Sequence, residues 1–220
     1  AGGEQRIERL HAASLEIATA PSKDPAREPA SLVAPMRLHV ERAGVDRLVP
    51  LLVDGVEIAG CNAPELTVVA GPHESIGRLA AALDAHAIGH TALNVSHAFH
   101  SAMMEPALPA VQAALGAVRL TAPQSRVYSC TTGAPLTAEQ ATDPAYWARQ
   151  VREPVQFTRA LSAERAEPDT VFVEVGPGQA LSALLRQHRP DNGPPARHVA
   201  LLGHARQSGD PARLALQALG

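Results

Sequence analysis

From Met36 to Val95 the apolar residues change period repeatedly, and few folds accept that order of changes. Leu38 and Val40 alternate with Arg37, His39 and Glu41, the period of two that sends successive side chains to opposite faces of a strand. Val45, Leu48, Val49 and Leu52 then fall at helical spacing, which predicts a short helix over Val45–Leu52. Val56–Gly60 and Leu66–Ala70 are short apolar runs separated by Asn62-Ala63-Pro64, so two strands joined by a turn are expected there. Glu74–His86 carries Ile76, Leu79, Ala80 and Leu83 on one side, the stripe of an amphipathic helix, and His90–Val95 reads as a last strand. The resulting β-α-β-β-α-β order is the split-βαβ, or ferredoxin-like, plan.

The flanks are organised differently. Ile7, Leu10, Leu15 and Ile17 partly suit a helix over Glu4–Thr19, and Pro21-Ser22-Lys23-Asp24-Pro25-Ala26-Arg27-Glu28-Pro29 is a charged, proline-spaced linker or surface loop. Beyond the split-βαβ region, Met103–Ala114 predicts a helix and Arg126–Cys130 a strand. Pro144–Gln150 and Gln156–Ala166 predict two helices joined at Pro154. Thr170–Val175 reads as a buried strand running into Gly176-Pro177-Gly178 and a helix over Ala180–Gln187, one unit of an α/β layer. His198–Leu201 is a further strand candidate and Ala212–Leu219 a closing helix. A chain of 220 residues has room for one domain, or one domain with a subdomain, around a real core.

Composition narrows the partners. Aromatic residues are only 3%, so the core must be built from Leu, Val and Ala. A formal net charge of −3 with no Lys/Arg run argues against nucleic acid or an anionic membrane surface, which both require clustered positive charge. No apolar run approaches the length of a membrane-spanning helix. No apolar segment follows Ala1-Gly2-Gly3-Glu4-Gln5-Arg6, so a signal peptide is not expected and a cytoplasmic location is. Cys61 and Cys130, outside any CxxC spacing, are expected to be buried thiols in a reducing compartment.

The stretch richest in chemistry is Asn94-Val95-Ser96-His97-Ala98-Phe99-His100-Ser101-Ala102-Met103-Met104-Glu105-Pro106. Two histidines flank an aromatic between the end of a strand and the start of a helix. A histidine so placed suits a general base, and two histidines filling polar positions in a loop would look the same. A metal site at His90, His97 and His100 lacks a Cys or acidic ligand at suitable spacing, so no metal is expected.

His97-Ala98-Phe99-His100-Ser101, followed by Met104-Glu105-Pro106, resembles the HAFH signature of acyltransferase domains in modular type I polyketide synthases, which are similar to malonyl-CoA:acyl carrier protein transacylases. Further blocks resemble the family's in the same order: Asn62-Ala63-Pro64 with Val68-Val69-Ala70-Gly71-Pro72, then Tyr128-Ser129 with Thr132-Gly133. Tyr146-Trp147-Ala148-Arg149-Gln150-Val151-Arg152-Glu153-Pro154-Val155-Gln156-Phe157 and Phe172-Val173-Glu174-Val175-Gly176-Pro177-Gly178 follow. The resemblance covers about Met36 to Leu219, the C-terminal part of such a domain.

It implies a division into residues 1–35, a poorly matched helix and linker; 36–96, the ferredoxin-like small subdomain; 97–197, the C-terminal part of an α/β-hydrolase-like large subdomain; and 198–220, a closing strand and helix or a linker. It implies His100 as the base that activates a serine, and Gln150 as a polar residue orienting it. Phe99, with His97 in the same motif, becomes a wall that favours malonyl over methylmalonyl units. The implied reaction moves malonyl from malonyl-CoA to the phosphopantetheine arm of an acyl carrier protein through an acyl-serine, with no further cofactor. The implied partners are the carrier protein, the ketosynthase and linker regions, and an N-terminal acyltransferase half. The family's G-H-S-x-G nucleophile elbow, its oxyanion segment and its carboxylate-pairing arginine have no match in these 220 residues. Ser75, in Gly71-Pro72-His73-Glu74-Ser75-Ile76-Gly77, is a decoy: no glycine stands two residues before it. A non-catalytic remnant that serves a synthase as a structural or docking element is the alternative reading.

Overall fold

A computed structural model describes residues 35–93, 95, 97–165, 170–176, 178–188 and 195–201. The helix expected over Glu4–Thr19, the proline-spaced linker and the closing helix over Ala212–Leu219 lie outside the described residues. The first structured region runs β1 (Pro35–Glu41), α1 (Val45–Leu48), β2 (Glu57–Ala63), β3 (Leu66–Pro72), α2 (His73–Ala85) and β4 (His90–Leu93). The strands form an antiparallel sheet in the order β2-β3-β1-β4. Each crossover skips one strand, so β1 and β2 flank β3 while β3 and β4 flank β1, as the ferredoxin-like plan requires.

The period of two decides what lies on each face. Leu38 and Val40 of β1 and Val69 of β3 turn to the helical side, where Leu48 of α1 and Ile76, Leu79 and Leu83 of α2 close over them. Ile76, Leu79 and Leu83 are each 0% exposed. Burying such side chains stabilises the fold by roughly 1.5–3 kcal/mol apiece. The opposite face carries Ala59, Val68 and Ala70, against which Ala98, Leu93 and Met103 pack. The apolar side chains at its centre are small, and the Ala98 methyl packs directly on them.

Local departures from the sequence reading have local causes. Val45–Leu52 is one α-turn continued by a 3-10 turn over Val49–Leu51, because Pro50 has no amide hydrogen to extend an α-helix. Asn62 and Ala63 belong to β2, and the hairpin turns at Pro64-Glu65 instead. Register shifts between Ile58 and Gly60 and between Cys61 and Ala63 lengthen the strand, and such bulges escape a strict period of two. Gly71 is required where it stands: a Cβ there would lie 2.5 Å from the Gly55 carbonyl oxygen. The edge of β2 is covered by Val155, whose N–H donates to the Ala59 carbonyl at 3.0 Å and whose carbonyl accepts from the Cys61 N–H at 2.7 Å.

The second region continues with a 3-10 helix over Ala102–Ala107, then α3 (Leu108–Gly116), α4 (Ala138–Thr142), α5 (Pro144–Arg149), α6 (Phe157–Arg165), β5 (Val171–Glu174), α7 (Ala180–Gln187) and β6 (Arg197–Ala200). The single helix expected over Met103–Ala114 is divided, since Pro106 and Pro109 interrupt its hydrogen-bond ladder. Arg126–Cys130 is not a strand. Only Tyr128 bridges to Pro135, and the Gly133 N–H (φ +64°) donates to the Ser129 carbonyl to close a loop. Ser129 Oγ, hydrogen-bonded to Tyr146 Oη, accepts from the Thr131 and Thr132 amides inside that loop. The short α4 is too brief to show a period, although Thr137 and Gln140 form a capping box that the sequence displays.

β5 and β6 pair in parallel, with α7 as the crossover. The Glu174 carboxylate accepts from the Leu181 and Ser182 amides, both at 2.9 Å, and so caps the start of α7. Gly178 takes φ +92° between them, a conformation glycine adopts without strain; Pro177 lies outside the described residues. The sequence predicts a buried β5, yet Val171 and Val173 are 48% and 50% exposed. A parallel strand rich in valine ordinarily has both faces covered, and among the described residues one neighbouring strand and one helix cover it only in part. Among the described residues no helix is long and apolar enough to cross a membrane.

Candidate active site

Ala98 seats the His97–His100 segment on the face of the sheet that carries Ala59, Val68 and Ala70. Ala98, 1% exposed, anchors it on Val68 and Ala70, and the buried Ser101 hydroxyl donates back to the Ala98 carbonyl at 2.7 Å. His100 is forced into the left-handed region, φ +66°. That conformation costs a non-glycine residue on the order of 1–3 kcal/mol and persists only where surrounding contacts over-determine it. Here its N–H donates to the Val151 carbonyl at 2.9 Å. Its ring Nδ1 lies 2.7 Å from the Glu153 carbonyl oxygen.

That second contact sets the tautomer. A carbonyl only accepts, so Nδ1 carries the hydrogen and the neutral ring keeps its lone pair on Nε2, the form a general base needs. Burial pushes the His100 pKa below its ordinary value; hydrogen bonding to Glu153 opposes this, the nearby Arg37 charge adds to it, and hydrogen bonding to the Gln150 backbone opposes it again. The net effect is a ring that stays neutral near pH 7.

Gln150 ends α5 at its C-cap, half-buried. The contact from this turn to His100 is made by backbone, not by a side-chain amide. Val151 and Glu153 escape a sequence reading as partners because any residue type offers the same carbonyl. The turn itself is tied to the small sheet by Arg152, whose Nη1 lies 2.8 Å from Glu57 Oε2 and whose Nε donates to Glu105 Oε1 at 2.9 Å. Glu57 Oε1 also accepts from the Ala102 amide at 2.9 Å. One ion-pair cluster thus joins β2, the helix start after His100 and the turn that holds the His100 ring.

Phe99 is half-buried and packs against the His97 ring, with centroids 5.7 Å apart and planes at 57°. Ser75 is elsewhere: it lies in the first turn of α2, on the other side of the sheet, with its Oγ 3.0 Å from Arg78 Nη2. No group of His, Cys, Asp and Glu among the described residues could hold a metal ion. Cys61 and Cys130 are free and half-buried rather than buried, and burial pushes both thiols up, so they stay protonated and weakly nucleophilic.

The histidines also set a stability trend. His39, His100 and His188 all have pKa values lowered from 6.5, each chiefly by burial. The folded chain therefore binds fewer protons than the unfolded chain over that range, so the stabilisation is complete above about pH 6.5 and is lost as pH falls through the lowered values. Urea denaturation at pH of about 7.5 and about 5.5 is expected to give a lower midpoint at the acid pH. Equal midpoints would contradict the burial of these rings.

Three comparisons place this arrangement. A sequence model of the family described as acyl transferase domain matches residues 35–217. The chain is 34% identical over 177 residues to a phenolphthiocerol/phthiocerol polyketide synthase of Mycobacterium tuberculosis, a match spanning 80% of this chain and 12% of that synthase. Among solved structures, the acyl transferase domain of SpnD in complex with 2-(pent-4-yn-1-yl)malonyl aligns with a TM-score of 0.78 and 29% identity, over 85% of this chain and 45% of that one. The acyltransferase domain from the second module of the salinomycin polyketide synthase aligns with a TM-score of 0.74 and 29% identity, over 86% of this chain and 44% of that one. The chain belongs to the acyl transferase domain family and is homologous to the acyltransferase domains of polyketide synthases. It spans about 12% of that synthase and less than half of those solved domains. Its fold is the ferredoxin-like subdomain with part of the α/β-hydrolase-like subdomain found in acyltransferase structures.

Proposed function

We propose that this chain supplies the general base and the acyl-pocket wall of a malonyl-selective acyltransferase domain in a polyketide synthase. Residues 36–96 form its small subdomain, 97–197 part of its large subdomain, and 198–220 a closing strand and helix or a linker; 1–35 are a poorly matched helix and proline-spaced linker. The reaction loads malonyl from malonyl-CoA onto the phosphopantetheine thiol of an acyl carrier protein, in the cytoplasm, beside the ketosynthase. The nucleophilic serine comes from outside these 220 residues. His100 Nε2 takes the serine proton as the serine oxygen attacks the thioester carbonyl, and returns it to the departing coenzyme A sulfur. It then takes the proton of the carrier thiol, whose sulfur attacks the acyl-serine, and returns it to the serine oxygen.

The observation that carries this reading is the His100 ring, held by the Glu153 carbonyl with Nε2 left as an acceptor. Intact mass after incubating the complete acyltransferase domain containing this chain with malonyl-CoA tests it. A malonyl adduct is the expected result. No adduct, with carrier or ketosynthase binding retained, would favour the non-catalytic remnant instead.

Phe99 gives a second test. A ring in the acyl pocket occupies space that an α-methyl needs, and one methyl is worth roughly 1–3 kcal/mol of discrimination. Phe99→Ser is expected to shift the malonyl to methylmalonyl ratio about tenfold or more toward methylmalonyl, read by competition between the two thioesters. An unchanged ratio would remove Phe99 from the pocket.

A further inference from the structure

One carboxylate, that of Glu57 on β2, is tied to the chain on both sides of the His100 ring. Its Oε1 accepts from the Ala102 amide at 2.9 Å, two residues after His100. Its Oε2 lies 2.8 Å from Arg152 Nη1. Arg152 stands between Val151 and Glu153, whose carbonyls accept from the His100 N–H and from Nδ1. The Ala102 contact replaces an ordinary cap. Ser101 is the N-cap of the 3-10 helix over Ala102–Ala107, yet its hydroxyl donates to the Ala98 carbonyl and makes no cap hydrogen bond. The first amides of a helix have no partner within it, so Glu57 supplies one from another strand.

Register explains why these residues meet. Val155 bridges to Gly60 in parallel, and three residues earlier on the two segments stand Arg152 and Glu57. Arg152 also reaches Glu105, its Nε donating at 2.9 Å, inside the same 3-10 helix. Hydrogen bonds between charged groups at such distances are stronger than neutral ones. The Arg152 and Glu57 side chains are still 27% and 35% exposed, so solvent screens the pair and it adds little to global stability. What the pair adds is position. His100 at φ +66° needs a frame that over-determines it, and both sides of that frame meet at one carboxylate.

We propose that Glu57 is a positioning residue for His100. Acting through Arg152 and the Ala102 amide, it holds the Val151–Glu153 turn where the Glu153 carbonyl binds Nδ1–H, and so keeps the basic lone pair on Nε2. The consequence for rate rests on the acyl-transfer reading above, while the tautomer does not.

Heteronuclear NMR of the imidazole nitrogens tests this on the complete acyltransferase domain containing this chain, with the His100 signals identified by their loss in His100→Asn. Wild type is expected to carry the hydrogen on Nδ1 at neutral pH. Glu57→Gln keeps the shape and loses the charge, and is expected to lower the ratio of the Nδ1–H to the Nε2–H form about twofold or more. Arg152→Gln is expected to act in the same direction, and the double variant to fall short of the product of the two, because both remove one coupling. Arg152→Lys, which keeps the charge without the fork, is expected to lie between wild type and Arg152→Gln. Arg78→Gln, which breaks the exposed ion pair with Glu74 on α2, is expected to leave the ring signals unchanged. Single-turnover acylation is expected to slow about tenfold in Glu57→Gln, with the malonyl-CoA concentration for half-maximal rate unchanged, since a misplaced catalytic group costs rate rather than binding. If Glu57→Gln does not fold, Arg152→Lys against wild type decides by the same ring signals. A wild-type ring with its hydrogen on Nε2, an unchanged ratio in the Glu57 and Arg152 variants, effects that multiply in full, or an equal change in Arg78→Gln would each overturn the proposal. A tautomer that responds as expected in a domain that forms no malonyl adduct would sink the acyl-transfer reading and leave the positioning role standing.

Discussion

Replacing His100 with alanine is expected to slow malonyl transfer about 10²–10⁴-fold, the usual contribution of a positioned general base. The reason is geometric. The Glu153 carbonyl 2.7 Å from Nδ1 consumes the ring's one donor in the neutral form, so Nε2 is the basic atom that His100 presents. Single-turnover acylation from malonyl-CoA, measured on the complete acyltransferase domain, reads this directly. Alanine also sits poorly at φ +66°, so a disturbed loop adds to its effect. Asparagine tolerates that conformation but cannot accept a proton at neutral pH, so His100→Asn separates the two causes. Equal defects in both variants assign the loss to the base. A full rate in His100→Asn would remove His100 from the chemistry. The acid limb of the wild-type rate profile is expected below 6.5, because burial, the leading cause, pulls the ring in that direction.

The second large effect concerns stability. Leu79→Ala is expected to cost about 2–5 kcal/mol, the range for removing a fully buried leucine and leaving a cavity. Leu79 is 0% exposed and lies in the middle of α2, between Ile76 and Leu83, in the layer that covers the helical face of the sheet. With aromatics at 3%, no large ring is at hand to relax into the space. Denaturant unfolding is expected to show a lower midpoint with an unchanged slope. A loss below about 1 kcal/mol would mean that α2 is not packed as described, since exposed sites rarely cost more. Gly77, on the exposed side of the same helix, where an added Cβ would meet nothing within 4 Å, is the matching control. Gly77→Ala is expected to be neutral or slightly stabilising.

The strand and helix order of residues 36–95 is readable because burial on one face of a sheet or helix imposes a period that the side chains record directly. α7 is readable to its ends for the same reason, with a glycine turn before it. What escapes are features whose cause is not periodic. The bulges that carry β2 through Asn62 and Ala63 depend on its pairing with β3. Arg126–Cys130 folds into a loop because among the described residues it meets only the isolated bridge from Tyr128 to Pro135, which no property of Tyr128 or Ser129 announces. The exposure of Val171 and Val173 likewise depends on which elements lie beside β5.

The site divides along the same line. Residue types supply the two histidines, the aromatic between them and the order of motif blocks, because side-chain chemistry is written in the sequence. The partners of His100 are the carbonyls of Val151 and Glu153, and every residue carries one, so only the path of the chain could select them. Likewise Glu57 is an ordinary strand residue when read in order. Its hold on Arg152 and on the Ala102 amide arises from register and packing, and these exist only once the strands are paired.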